Sequence, residues 1–297
     1  MLSASAPTDI PHSKQAAACP ESGHAPAVGA PGRGLLRVAR VDGASAALSC
    51  ASTSPLRLLL PRARGPLVWA VAASHGGGLV GGDEVSVEVE VGPEARALLT
   101  TQAETKVYRT DGPGCRQALR ARVGAGGLLA LLPEPVSAFA GSVLSQRQEV
   151  DLGEGASLVL VDALAAGRSA RGERWAFRSL GSANHVSRQG SLLLADAVRL
   201  AADEGPPLPG RLAGWHLLAT VVLLGPLLRE PAAALLAALA ARRAAPGDEV
   251  LAAASPLGDG LHLRLAARGV EPGQAALASL LSFLPALLGE DPLSRRP

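Results

Sequence analysis

The sequence is poor in aromatic residues and in lysine. Its 297 residues include one tyrosine, three phenylalanines and three tryptophans, and only Lys14 and Lys106 among its 28 basic residues are lysines. The 26 acidic residues leave a net charge of +2, and the arginines are interspersed with aspartates and glutamates along the chain. A nucleic-acid-binding surface needs a basic patch. The composition therefore excludes nucleic acid as a predicted partner.

Cysteine is also scarce. Cys19, Cys50 and Cys115 are widely spaced and form no CxxC pair. This spacing argues against a disulfide framework or a zinc site and favours a reducing compartment, which predicts a cytoplasmic protein. Residues 1–33 are rich in Ala, Pro, Gly and Ser and lack the basic start and apolar core of a signal peptide. They are predicted to form a disordered tail.

One apolar stretch approaches the length of a membrane span. Residues 212–228, LAGWHLLATVVLLGPLL, contain His216 and Pro226 and are marginal in length for crossing a bilayer. The segment TVVLL, bounded by turn residues, is typical of a buried strand. We therefore predict no membrane association.

Local motifs of known enzyme classes are missing. The chain has no GxxxxGK[ST] loop, no HExxH and no GxSxG elbow. Residues 76–81, GGGLVG, have the GxGxxG spacing of a dinucleotide site, but an alternating strand follows them where that site needs a helix. The histidines stand singly, so no tight metal site is predicted.

A strand pattern is clear at residues 83–91, DEVSVEVEV. Four valines occupy alternate positions, with serine and glutamates between them. This period of two is typical of a strand with one buried face.

A weak repeat surrounds three glycines, Gly92, Gly124 and Gly153, which lie about thirty residues apart. Each follows one strand pattern and precedes another apolar strand. The repeat predicts a mainly β fold of stacked hairpin layers with β-solenoid-like character. A flat β-sandwich is the alternative.

The last third of the chain changes to helical patterns. Residues 230–243 and 275–289 are predicted helices, and residues 261–267 a strand between them. Pro285 is expected to kink the second helix, whose leucine stripe predicts docking on the parent domain or, alternatively, a surface for a partner. The fold class is thus mainly β with a few C-terminal α-helices, in a single domain over residues 34–290 followed by a disordered tail at 291–297.

Five carboxylates lie beside glycine or proline, or at the end of an apolar run: Asp83, Glu84, Glu134, Asp162 and Glu173. Such groups commonly form turns or pair with nearby arginines. Alternatively, carboxylates at successive layers of a β-rich body line a polar path that holds a divalent cation weakly. The residue pattern alone leaves both interpretations open.

Several motifs occur in a fixed order over residues 34–290. They are GGGLVGGDEV, TTQAETKVYRT, LPEPVSAFAGSVLSQRQ, SLVLVDALAAGRSARGERWAF, SANHV, GSLLLADAVRL and LLATVVLLGPLL. In this order they resemble the urease accessory protein D (UreD) family, in particular its eukaryotic-type members. The positions that carry the resemblance are Gly77, Gly78, Thr100, Thr101, Gln102, Lys106, Tyr108, Arg168 and Trp175.

The resemblance implies a non-catalytic scaffold for urease maturation with a β-rich, solenoid-like fold. It implies three protein partners: the urease apoprotein, urease accessory protein F, and the GTPase urease accessory protein G, which is recruited through F. It also implies that Ni(II) passes through the chain in transit, with no tightly bound cofactor. The five carboxylates named above then become candidates for the nickel path.

Two other functions remain open at this point. One is a pure protein-interaction scaffold in which the carboxylates are structural and no metal crosses. The other is an unrecognised enzyme on a β-solenoid, for which Lys106, Tyr108 and Glu173 are the acid and base candidates.

Overall fold

The computed structural model describes residues 17–18, 31–62 and 65–292. The strands of this part are, in chain order, β1 (Ala17–Ala18), β2 (Gly32–Val41), β3 (Ala44–Ser52), β4 (Leu56–Leu60), β5 (Val68–Ser74), β6 (Glu84–Val91), β7 (Arg96–Thr101), β8 (Thr105–Val107), β9 (Cys115–Val123), β10 (Leu128–Leu132), β11 (Val136–Ala138), β12 (Val143–Leu152), β13 (Ser157–Ala165), β14 (Ser179–Arg188), β15 (Ser191–Ala201), β16 (Leu217–Leu224), β17 (Val250–Leu257) and β18 (Gly260–Ala267). The α-helices are α1 (Leu208–Arg211), α2 (Arg229–Ala241), α3 (Val270–Leu280) and α4 (Leu284–Leu288).

The strands of the described residues form two sheets. The large sheet has the order β1-β4-β5-β7-β10-β13-β16-β18-β17, with β11 beside β13 and β8 beside β11, and the small sheet has the order β15-β14-β12-β9-β6-β2-β3. Neighbouring strands are parallel from β5 to β13 in the large sheet and from β2 to β14 in the small sheet. Antiparallel strands complete both edges of each sheet.

The glycine turns connect the two sheets. The chain passes from β6 to β7, from β9 to β10 and from β12 to β13 at Gly92, Gly124 and Gly153. Each turn donates its glycine N–H to the layer before it; for example, Gly124 N bonds Val91 O at 2.7 Å. A Cβ on Gly124 would lie 2.7 Å from Pro93 N, so the close stacking of these turns requires glycine there.

The mainly β, solenoid-like prediction is confirmed by this stacking. The two strands of each repeat, however, are not paired with each other as a hairpin would be. They lie in different sheets and pair in parallel with the strands of the neighbouring layers. The two sheets also face each other as in a sandwich, so the alternative architecture describes the layering but not the pairing.

Two cores hold the layers together. One lies between the two sheets, and the other lies between the outer face of the large sheet and helices α2 to α4. Because both faces of the large sheet are covered, β10 and β13 are buried at every position. Strand β6 instead alternates between buried valines and more exposed polar residues, as its sequence predicts.

The C-terminal elements follow the predictions with one difference. Helix α2 and strand β18 form where expected. The second predicted helix begins earlier, at Val270, and is broken into α3 and α4, with Pro285 in the first turn of α4. Its leucine stripe packs on the large sheet, which confirms docking on the parent domain.

The apolar stretch at 212–228 contains strand β16, and no helix among the described residues is long and apolar enough to cross a bilayer. The cysteine expectation is wrong in one respect: Cys50 is disulfide-bonded, whereas Cys115 is free and buried. This removes the cysteine-based argument for a reducing compartment. The predicted tails at 1–33 and 291–297 fall mostly outside the described residues, although β2 already begins at Gly32, and the domain limits stay predictions.

Candidate functional site

Two of the resembling motifs lie side by side. Leu79 N donates to Lys106 O at 2.8 Å, and Tyr108 N donates to Leu79 O at 2.8 Å. A Cβ on Gly78 would lie 2.6 Å from Lys106 O and 2.7 Å from a ring carbon of Tyr108. The glycine run therefore packs directly on the Lys-Val-Tyr segment, and Gly77, at φ +71°, supplies the left-handed turn that brings it there.

Tyr108 belongs to a cluster that ties three motifs together. Its ring meets the ring of Phe139 edge to face, with the two centroids 5.5 Å apart. The guanidinium carbon of Arg168 lies over the same Phe139 ring, 4.5 Å from its centroid. Arg168 donates two hydrogen bonds to Glu173, at 2.5 and 3.0 Å, and Ala140 N donates a third at 3.3 Å. These contacts, led by Arg168, lower the pKa of Glu173.

The acid and base groups suggested for an enzyme do not converge. The Lys106 ammonium lies 3.8 Å from the Glu104 carboxylate at the surface, whereas Tyr108 and Glu173 are engaged in the cluster just described. Trp175, another resembling position, is buried and donates its indole N–H to Trp215 O at 2.7 Å. These positions support packing rather than a reaction centre.

The threonine pair of the TTQ motif caps neighbouring strands. Thr100 Oγ1 donates to Leu132 O at 2.7 Å, and Thr101 Oγ1 accepts a bond from Glu134 N at 2.9 Å. Gln102 is exposed at the end of β7. The pair therefore positions Glu134 at the end of the adjoining layer.

Asp83 and Glu84 lie at a surface turn. Asp83 Oδ2 accepts a hydrogen bond from Val80 N at 2.9 Å, which closes the turn before β6. Glu84 pairs with Arg116 on the neighbouring strand. Burial, reinforced by the Asp83 charge, raises the pKa of the Cys115 thiol to about 11, so that cysteine is not a ready metal ligand.

A band of polar side chains crosses the space between the sheets. On the large sheet, register places Asp162, Thr220 and Arg264 in one row across β13, β16 and β18. On the small sheet, two further rows face them. We call all nine residues the polar band: Asp162, Thr220, Arg264, Gln117, Gln146, Ser182, Gln148, Asn184 and Asp196.

Asp162 is the centre of the polar band. Asp162 is 5% exposed, and its carboxylate accepts hydrogen bonds from Gln146 at 2.9 Å, Ser182 at 2.6 Å and Asn184 at 3.0 Å. Burial nevertheless dominates and, with the nearby negative charge of Asp196, raises the pKa of Asp162. A single buried carboxylate of this kind can attract a cation but binds it only weakly.

Asp196 is a second buried carboxylate, on β15. Arg264 forms an ion pair with it, and Thr220 Oγ1 lies 3.3 Å from its other oxygen. His262 Nε2 is 3.8 Å from the carboxylate. Burial lowers the pKa of His262 below its usual value, so its imidazole is mainly neutral at pH 7.

Cavities follow the polar band on both sides of Asp162. An inner cavity of about 80 Å³ between the sheets is lined by Glu134, Gln146 and Asp162. A second cavity of about 180 Å³ shares Thr101 and Gln117 with it and reaches the surface loop of Gln102 to Lys106.

On the other side of Asp162 lies a chamber of about 420 Å³, which we call the far chamber. It is lined by Asp162, Thr220 and Arg264 together with apolar residues of β16, β17 and β18. Of the five predicted carboxylates, the structure thus brings together Glu134 and Asp162 and places Asp83, Glu84 and Glu173 elsewhere.

Sequence reasoning misses most of the polar band. Gln146 and Gln148 share their parity in β12 with the buried Leu144, Val150 and Leu152. Polar residues at inward positions of an alternating strand are the signal that could have revealed them. The same reasoning applies to β14, whose inward positions include Ser182 and Asn184.

Known proteins are similar to this sequence over nearly its whole length. A family model described as UreD urease accessory protein matches residues 30–297. The urease accessory protein UreD of Anaeromyxobacter sp. (strain Fw109-5) is 54% identical over 283 residues, covering 95% of each chain. That of Sorangium cellulosum (strain So ce56) is 48% identical, covering 90% of this chain and 85% of its own.

A plant protein is also similar. Urease accessory protein D of Oryza sativa subsp. indica is 37% identical over 215 residues, covering 71% of this chain and 70% of its own. The residues matched by the family model, 30–297, include the resembling motifs and the strands that carry the polar band. The chain belongs to the UreD urease accessory protein family, a family of accessory proteins rather than of enzymes.

Proposed function

We propose that this chain is a urease maturation factor that binds the urease apoprotein and passes Ni(II) along the polar band toward it. Family membership supports the accessory role. The placement of Asp162 supports the cation path, because this one carboxylate lines both the inner cavity and the far chamber. A cation that moves between the two cavities passes this side chain.

The chemistry of the polar band suits a passing cation. Its donors to a metal are carboxylate, amide and hydroxyl oxygens, which hold Ni(II) less strongly than imidazole or thiolate ligands. Glu134 at the inner cavity and Asp162 at its end provide negative charge at successive points. Nickel is thus cargo in transit in this proposal, not a resident cofactor.

The proposed partners are the urease apoprotein, urease accessory protein F and the GTPase urease accessory protein G. In this arrangement the G protein supplies the nickel, the F protein connects it to this chain, and the apoprotein receives it. The proposed location is the cytoplasm, where these proteins would meet.

A specific observation also favours the scaffold alternative. Gln146, Ser182 and Asn184 already satisfy the Asp162 carboxylate with three hydrogen bonds. A fully bonded buried polar network can simply specify how two sheets pack. In that case the chain would bind its partners and no nickel would cross it.

Replacing Asp162 by asparagine distinguishes the two functions. Asp162→Asn keeps the size of the side chain and removes its charge. We expect urease activation at limiting nickel to fall several-fold, while pull-down of the F protein and of the urease apoprotein is unchanged. Asp111→Asn is the matched control, because its carboxylate is 84% exposed and pairs with Arg109 at the surface.

Full activation by Asp162→Asn at limiting nickel, with both partners still bound, would contradict the cation path and leave the scaffold function. Loss of partner binding would show instead that the carboxylate is needed for the fold of the complex. Excess nickel should restore the activation by Asp162→Asn if the path has only lost affinity.

A further inference from the structure

Behind the wall of the far chamber lies a buried carboxylate, Asp196, whose partners Arg264 and Thr220 line the chamber. The Asp196 side chain is 2% exposed, whereas that of its partner Arg264 is 61% exposed. Asp196 belongs to β15 of the small sheet and Arg264 to β18 of the large sheet, so their ion pair connects the two sheets. The Arg264 side chain is thus largely hydrated although its guanidinium contacts a buried carboxylate.

The ion pair lies where a cation leaving Asp162 would arrive. Asp162, Thr220 and Arg264 occupy one row of the large sheet and line the same chamber. Asn184 bonds Asp162 and is in register with Asp196 on the small sheet, so the two carboxylates are neighbours across the polar band. Asp196 is thus the next acidic group beyond Asp162, and its carboxylate is already paired with the guanidinium of Arg264.

We propose that Arg264 is a displaceable internal counter-cation that closes the far chamber at Asp196 until a divalent cation takes its place. This inference rests on the proposed function, because it assumes that a cation travels along the polar band. A divalent ion between two carboxylates gains more electrostatic energy than one guanidinium gains from one of them. Arg264 can swing outward at low cost because most of its side chain is already hydrated.

The neighbours of Asp196 support exchange of one cation for another. Thr220 Oγ1 offers a hydroxyl, and His262 Nε2, 3.8 Å from the carboxylate, is not hydrogen-bonded within the described structure. With Arg264 in place, the lowered pKa of His262 means that its imidazole is mainly neutral near pH 7. If Arg264 left without a replacement, Asp196 would be a buried, unpaired carboxylate, which is costly. Departure of Arg264 is therefore coupled to arrival of another cation.

Thermal unfolding of the full chain with and without nickel chloride tests this inference. In Arg264→Gln we expect a lower Tm than in the wild type without nickel. Nickel should then restore the Tm at a concentration roughly tenfold or more below that needed to shift the wild type, because the competing charge-assisted bond is gone. Arg264→Lys, which keeps the charge, should behave like the wild type.

Two further variants make the result specific to Asp196. The double variant Asp196→Asn, Arg264→Gln should lose the sensitive nickel response. Arg199→Gln is the matched control, because Arg199 lies on the same strand as Asp196 but pairs with Glu204 at the surface. Its nickel response should equal that of the wild type.

Equal nickel responses of Arg264→Gln and the wild type would overturn the inference, as would a sensitive response that persists in the double variant. Should Arg264→Gln not fold, Asp196→Asn decides, since the Arg264 side chain that it leaves without its partner is already 61% exposed. This variant must lose the Tm shift that the wild type shows at high nickel, and retention of the shift overturns the inference. The proposed function fails separately, through full activation by Asp162→Asn.

Discussion

At the scale of single residues, Asp162 and Glu173 are carboxylates in opposite situations. Burial raises the pKa of Asp162, whereas Arg168 lowers that of Glu173. A raised carboxyl pKa means that the folded state binds the proton more tightly than the unfolded state does. A lowered pKa means the reverse, so the two residues make opposite contributions to the pH dependence of stability.

For Asp162, the cost of ionisation appears as the pH rises above the unfolded-state pKa of aspartate, about 4. Asp162→Asn does not ionise and therefore avoids this cost. We expect the Tm of Asp162→Asn relative to that of the wild type to increase between pH 4 and pH 7. Thermal unfolding followed by circular dichroism across this range measures the difference. A constant difference would contradict a buried, penalised carboxylate.

For Glu173, the sign is opposite. Its stabilisation is present above the unfolded-state pKa of glutamate, about 4.3, and is lost as the pH falls through the lower folded-state pKa. We expect Glu173→Gln to have a lower Tm than the wild type at pH 7 and the two Tm values to converge as the pH falls below the folded-state pKa of Glu173. Glu90→Gln, whose carboxylate pairs with Arg37 on the outer face, is a control for a half-exposed ion pair. An equal deficit of Glu173→Gln at pH 7 and below that folded-state pKa would mean that the charge is not what Arg168 recognises.

The sequence predicts only part of the polar band, for a physical reason. The sequence indicates Asp162 because this residue ends the apolar run SLVLVD, and Glu134 because it lies between two prolines. Asp196 gives no such signal, since LLLADAV also reads as an ordinary half-exposed strand. Its burial depends on how β15 faces Thr220 and Arg264 across the sheets, and no local pattern encodes that contact.

At the scale of elements, the glycine run before β6 has a defined role. It packs on the backbone of Lys106 so closely that a methyl group on Gly78 has no room. We expect Gly78→Ala to reduce the free energy of unfolding by about 1–3 kcal/mol, the usual cost of overpacking. Gly181→Ala is the matched control, because a Cβ there meets nothing within 4 Å. Equal unfolding midpoints in urea for the two variants would contradict this packing.

Individual strands are predicted more easily than their partners. The alternation in β6 correctly indicates one covered face. The apolar run in β13 fits a strand that is covered on both faces, as the structure shows. The repeat around Gly92, Gly124 and Gly153 correctly indicates stacked layers. Pairing within each layer is predicted wrongly, because a short glycine turn suits both a hairpin and a corner between two sheets, and the parallel partners lie about thirty residues away.

At the scale of the whole molecule, the layered architecture creates a gradient in burial, with the central strands more buried than the edge strands. Strands β10 and β13 are buried at every position, and each pairs with a strand on both sides. Among the described strands, β3 pairs only with β2 and β15 only with β14. These edge strands carry Leu48 and Leu192, which are 64% and 63% exposed. The edges therefore have fewer buried contacts to lose when they open.

This gradient predicts the order of amide hydrogen exchange. The amides of β10 and β13 should exchange only through global unfolding, and those of β3 and β15 through local opening of much lower free energy. Exchange followed by mass spectrometry on peptides from these four strands measures the order. Uniform protection of all four strands would mean that the sheets open as one unit. An edge that opens alone would leave the central strands, and with them Asp162 and its row of the polar band, closed while β15 carries Asp196 away from Arg264.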